Sequence, residues 1–152
     1  MWIDEKTEEI TEGEQTMTHY YQPEIETMPL DELRKLQSER LVEQVNHVYT
    51  NVEFYRNKMD EAGIKPEDIK GVEDLHKLPF ITKDDLKDQY PYGLLGVPLS
   101  DCVRIQSTSG TTGKRVVAFY TQEDIDVWED CCARAIMAAG GTKEDVCHVC
   151  YG

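Results

Sequence analysis

The sequence has no apolar run of the kind that a membrane protein needs. No stretch approaches the roughly 18 consecutive apolar residues of a spanning helix, and the first 15 residues, MWIDEKTEEITEGEQ, are acidic where a secretory signal would be basic and then apolar. Hydrophobic residues make up 39% of the 152 residues and charged residues 30%, which is typical of a globular protein with one core. We therefore expect a cytoplasmic protein with no membrane partner.

Basic residues are also scarce. The chain carries 16 lysines and arginines against 30 acidic residues, a formal net charge of -14. Such a field repels the phosphates of nucleic acid, which excludes nucleic acid as an expected partner. Any anion that this protein binds must be held locally, by backbone amides and a well-placed cation.

The chain has five cysteines, an odd number, and in a sequence without an export signal they predict reduced thiols instead of a disulfide framework. Cys147 and Cys150 have the C-x-x-C spacing of half a zinc site, but no second pair follows. The same stretch also predicts a buried strand, on which the two thiols would face opposite sides. Both interpretations stay open, and no metal ligand is assigned.

Apolar spacing divides the chain into three regions. Residues 1–27 are acidic, lack regular spacing and predict a flexible arm. Residues 28–100 predict a helical region, because apolar residues from Leu30 to Met59 recur every three or four positions. Residues 101–152 predict the start of an α/β domain.

Local signals in the helical region predict where its helices begin and end. Asp31 is the expected N-cap, Gly63 the expected stop, and an interruption is expected near Thr50-Asn51, which gives a helical hairpin or a broken helix. Thr82, followed three residues later by Asp85, predicts a capping box for a further helix. The apolar stripe of the long helix could be core or a surface for assembly.

The α/β region begins with two β-prone runs, Cys102–Ile105 and Val116–Tyr120. A helix opened by the capping box of Thr121 and Asp124 follows them and stops at Gly140-Gly141. Residues 146–151 then predict a third strand. The order strand, loop, strand, helix, strand indicates an α/β fold.

The loop between the first two strands, STSGTTGKR at residues 107–115, combines glycines, hydroxyls and a lysine. Glycines allow backbone amides to converge on an anion, and the hydroxyls and the ammonium group suit polyphosphate oxygens. The loop differs from the P-loop of the NTPases, which requires glycine at Thr108 and Ser or Thr at Arg115. An ordinary surface hairpin turn is the alternative interpretation.

Residues 108–114, TSGTTGK, resemble the SSGTTGKP signature of the adenylate-forming enzymes. The stretches LPFITKDDLKDQYPYGLLGVP at residues 78–98 and LQSERLVEQVNHVYTNVEFYRNKMDEAGI at residues 36–64 resemble the phenylacetate-CoA ligase branch, in register from about residue 28 to the end. Two positions depart from that pattern, since Arg115 and Glu53 stand where this branch usually has proline.

The resemblance implies that an aryl acid, ATP with Mg²⁺, and coenzyme A react to give an acyl-CoA, AMP and pyrophosphate, and that a homodimer is possible. The phosphate-binding role is carried onto Thr108, Ser109, Gly110, Thr111, Thr112, Gly113 and Lys114. Tyr151 aligns with an aromatic wall of the acid pocket, although a buried strand tyrosine is the alternative. The resemblance does not fix which acid is activated.

In this family the groups that hold adenine, ribose and most of the acid come later in a longer chain. We therefore expect only the N-terminal helices and first strands of the fold, no confident catalytic residue, no tightly bound cofactor and no activity from residues 1–152 alone. A non-catalytic module for phosphate binding or assembly, derived from the same family, is the alternative function.

Overall fold

A computed structural model of the chain describes residues 20–110, 113 and 115–150. Its α-helices are α1 (Pro23–Glu26), α2 (Leu30–Asn51), α3 (Glu53–Glu61), α4 (Lys83–Asp88) and α5 (Gln122–Ala138). Its strands are β1 (Cys102–Ser107) and β2 (Val117–Thr121), and short 3-10 turns occur at Pro66–Asp68, Val72–Lys77 and Leu99–Asp101. This mixed helix and strand content confirms the expected fold class.

The break between α2 and α3 lies at Val52, close to the predicted interruption. Val52 is extended, with φ -121° and ψ 105°, and its side chain is buried. The Arg56 guanidinium donates to the carbonyl oxygens of Tyr49 and Thr50 at 3.3 and 3.2 Å, so it satisfies acceptors that the end of α2 leaves free. The chain can therefore turn here without leaving these carbonyl groups unpaired.

The core lies where α2, α3 and the first 3-10 turns meet. Val45, Met59 and Ile69 are 4%, 3% and 2% exposed and form one cluster. Leu41, Tyr49, Ile64 and Leu78 pack around it. The apolar stripe of α2 is thus core along its middle, whereas Leu30 at its start stays 63% exposed.

The two strands form an antiparallel hairpin that leads directly into α5. Their register pairs Ser107 with Val117 and Ile105 with Phe119, with an irregularity between Cys102 and Arg104. The Thr121 hydroxyl accepts from the Asp124 N–H at 3.2 Å, and the Asp124 carboxylate accepts from the Thr121 N–H at 2.8 Å, which confirms the predicted capping box. Thr82 and Asp85 cap α4 in the same way.

Two sequence-based expectations are wrong in detail. The N-cap of α2 is Pro29 instead of Asp31. Within the expected arm, residues 23–26 are helical, and Gln22 bonds to Asp130 and Arg134 of α5. Residues 1–19 lie outside the described part, so the arm and the division into three regions stay predictions.

The second error is the predicted strand at residues 146–151. Residues 146–150 are not in a strand, and Val146 is 96% exposed. A strand needs a neighbour that pairs with its N–H and C=O groups, and the only ladder within residues 20–150 that the structure describes joins β1 to β2. Tyr151 lies outside the described residues.

Acidification should destabilise this fold through its hydrogen-bonded aspartates. Hydrogen bonds from Lys65 and Tyr49 lower the pKa of Asp60 below 3.8, and the capping-box bonds from Thr82 lower that of Asp85. Because these folded-state pKa values are depressed, their contribution is present above the unfolded value of about 3.9 and is lost as pH falls through the folded value. We expect the free energy of unfolding to decline below about pH 4.

Urea unfolding followed by circular dichroism at a series of pH values measures this effect. The D60N/D85N variant should be less stable at pH 7 and show a shallower decline than the unsubstituted chain. An identical acid slope in the two proteins would contradict the assignment.

Candidate phosphate-binding loop

The hairpin projects residues 108–116 from the end of the sheet as one loop. The Thr108 N–H donates to the Val116 carbonyl at 3.0 Å, and the Val116 N–H donates to the Thr108 hydroxyl at 3.2 Å. These two bonds continue the pairing of Ser107 with Val117 and close the neck of the loop. The two arms of the loop therefore leave the sheet at a fixed separation.

The tip of the loop turns at its two glycines. Gly110 and Gly113 have φ of 70° and 111°, in the region that side chains strongly disfavour. The Gly113 N–H donates to the Gly110 carbonyl at 3.0 Å, so four residues close a tight turn. Ser109 and Gly113 are exposed to solvent.

The structure therefore places Thr108 at the neck of the loop and Ser109, Gly110 and Gly113 at its tip. Thr111, Thr112 and Lys114 lie outside the described residues, so their phosphate-binding role stays a prediction. The described geometry is that of a glycine turn held at its base.

Arg115 crosses the base of the loop, a feature that the sequence interpretation left undecided. Its Nη1 donates to the Ser107 hydroxyl at 3.3 Å and so joins the end of β1 to the returning side of the loop. Its side chain also lies against Gly110, since a Cβ placed there would be 2.7 Å from Arg115 Cγ. Gly110 is thus required for space as well as for its φ. Ser107, which stands outside the family signature, is the part of this contact that sequence reasoning missed.

Below the loop, a groove of about 360 Å³ runs along the hairpin. Aromatic rings of Tyr90, Tyr92 and Phe119 line it, and Gln106, Ser107 and Arg115 form its polar end. The rings of Tyr92 and Phe119 are 5.6 Å apart. The groove therefore passes from apolar to cationic toward the loop.

The hairpin is supported from α5. The rings of Tyr120 and Trp128 lie 5.5 Å apart, and the Arg104 guanidinium lies 5.3 Å from the Trp128 ring, within the range of cation–π attraction. These contacts fix β1 and β2 against the first turns of α5. The loop is consequently carried by elements that pack on each other.

Metal binding gains no support from the residues described. Within residues 20–110, 113 and 115–150, no three His, Cys, Asp or Glu side chains gather as a metal site would require. Cys147 and Cys150 are exposed. The expectation that they are buried thiols on a strand is therefore wrong. The described residues of the loop carry hydroxyl groups and no carboxylate, the ligand that Mg²⁺ prefers.

No helix in the described part of the chain has the length and apolarity needed to cross a membrane.

The sequence is similar to known proteins of one family. The sequence is 49% identical over 128 residues to phenylacetate-coenzyme A ligase of Escherichia coli, and 47% identical over 132 residues to that of Thermus thermophilus. These matches cover 84% and 87% of the chain. The chain belongs to the phenylacetate-CoA ligase family. It spans about 30% of the length of these relatives and matches their N-terminal part. No family model matches the sequence.

The phenylacetate-CoA ligase relationship extends to solved structures. A 2-hydroxyisobutyryl-CoA ligase in complex with 2-HIB-AMP and CoA is 32% identical, with a TM-score of 0.69 over 76% of this chain and 25% of that protein. Folds and sequences therefore agree on an acid-CoA ligase family whose N-terminal part this chain matches.

Proposed function

We propose that this chain provides the phosphate-binding part of an ATP-dependent, AMP-forming acid-CoA ligase of the cytoplasm, acting on phenylacetate or a related aryl acid. The observation that carries the proposal is the glycine turn of residues 110–113 at the tip of a braced hairpin, in a sequence 49% identical to a phenylacetate-coenzyme A ligase. The reaction joins the acid to AMP, releases pyrophosphate, and then transfers the acyl group to the thiol of CoA.

The role of the loop is electrostatic. As the α-phosphate bond to pyrophosphate breaks, negative charge gathers on the departing oxygens. The hydroxyls of Thr108, Ser109, Thr111 and Thr112 and the ammonium group of Lys114 would donate to those oxygens, together with loop amides that the turn does not already use. Mg²⁺ bound to the nucleotide would neutralise further charge. Because the hairpin fixes the base of the loop, these donors need little reorganisation when charge develops.

The groups that hold adenine, ribose and the acid are not assigned to any residue described here. We therefore expect the 152-residue chain alone to show no phenylacetate-dependent exchange of pyrophosphate into ATP. Replacing the matching segment of the E. coli relative with residues 20–150 should give a chimera that does exchange, because the two sequences are 49% identical over 128 residues.

Isotope exchange between labelled pyrophosphate and ATP measures both results. The E. coli enzyme serves as the positive control, and gel filtration with circular dichroism verifies that the chimera is folded. A folded chimera without exchange would contradict the proposed function and favour a non-catalytic module. Exchange by the isolated chain would contradict the expectation that it is inactive alone.

A further inference from the structure

We propose that Arg115 is a second cation for the polyphosphate, in addition to Lys114, and that it swings from Ser107 onto a phosphate oxygen when the ligand binds. This inference rests on the proposed function of the loop and adds a contact that the family signature does not contain. In that signature the position is usually proline, which has no side-chain donor at all.

The first observation concerns the ion pairing of Arg115. In the described part of the chain no carboxylate lies within ion-pair distance of Arg115, although the protein has 30 acidic residues. Its side-chain hydrogen bond goes to the neutral hydroxyl of Ser107, at 3.3 Å, which is long for an arginine contact. A guanidinium held this weakly keeps most of its donors for another acceptor.

Position is the second observation. Arg115 passes directly beside Gly110, with its Nε 3.2 Å from where a Cβ would lie, and so it borders the glycine turn itself. It also forms the polar end of the groove lined by Tyr90 and Tyr92. A ligand seated on the turn would therefore meet this guanidinium without any movement of the strands.

The two acceptors available to Arg115, the Ser107 hydroxyl and a phosphate oxygen, differ in charge. The Ser107 bond is neutral at one end, whereas a bond to a phosphate oxygen is charged at both ends and can be bidentate. An incoming polyphosphate should therefore displace Ser107 from Arg115. Arg40, which is exposed on α2, provides a control for the charge change outside the hairpin.

Titration of the full 152-residue chain with inorganic tripolyphosphate, followed by NMR, tests the proposal. We expect weak binding by the unsubstituted chain, a loss of about five- to tenfold in affinity for R115Q, partial retention for R115K, and little change for R40Q. The side-chain Nε–H resonance of Arg115 should shift on addition of ligand. A residue that only supported the loop would not give that shift.

The results distinguish the proposed role of Arg115 from the proposed phosphate-binding role of the loop. If the unsubstituted chain binds tripolyphosphate and R115Q binds it equally well, the role of Arg115 is overturned while the loop assignment stands. If the folded, unsubstituted chain shows no binding at all, both are overturned. Circular dichroism of each variant establishes that a loss of affinity does not come from unfolding.

Discussion

Replacing Thr111, Thr112 and Lys114 together with alanine is expected to lower pyrophosphate exchange by the chimera at least about a hundredfold. Removal of a single donor to a developing oxyanion typically costs a hundredfold to a thousandfold in rate, and this variant removes two hydroxyls and the cation. The glycine turn and its neck bonds do not involve these side chains, so the loop should keep its backbone path. The loss should therefore appear mainly in the rate of the chemical step.

A matched control replaces a lysine and a threonine far from the loop. Lys35 and Thr50 are exposed on α2, so the K35A/T50A chimera should exchange at close to the parental rate. Full turnover and unchanged nucleotide affinity in the triple variant would rule out the phosphate-binding role of residues 108–114.

The Ile69→Ala variant is expected to lose about 2–5 kcal/mol of stability, a large part of what a domain of this size has. Ile69 is 2% exposed and packs in the cluster with Val45 and Met59. Truncation leaves a cavity where the 3-10 turns meet α2, because backbone from different segments surrounds the site and cannot close in fully.

Urea unfolding monitored by circular dichroism measures this loss. Leu75→Ala is the matched control, because Leu75 lies nearby in sequence but is 56% exposed, and its truncation should cost less than about 1 kcal/mol. Equal losses in the two variants would show that the described cluster is not the core that holds the helical region together.

Features fixed by neighbouring residues could be predicted from the sequence. The capping boxes of Thr82 with Asp85 and of Thr121 with Asp124 span three residues, so their bonds depend only on local backbone. The ends of the loop could be predicted in the same way, because the sequence changes there from β-prone to glycine-rich. The family assignment likewise followed from contiguous motifs.

Contacts between distant residues could not be predicted. Gln22 meets Asp130 and Arg134 more than a hundred positions away, and no local pattern encodes such a meeting. The Ser107–Arg115 bond spans a loop whose path had to be known first. The strand expected at residues 146–151 failed for the opposite reason, because β-prone composition does not provide a pairing partner.

The contacts of Gln22 decide where the protein can be shortened. Its amide nitrogen donates to Asp130 at 2.9 Å and its amide oxygen accepts from Arg134 at 2.7 Å, so this residue ties the beginning of the described chain to the helix behind the hairpin. Composition alone would place a trimming point at residue 28. A cut there would release two polar side chains on α5 from their partner, whereas a cut before Tyr20 would leave this tether in place.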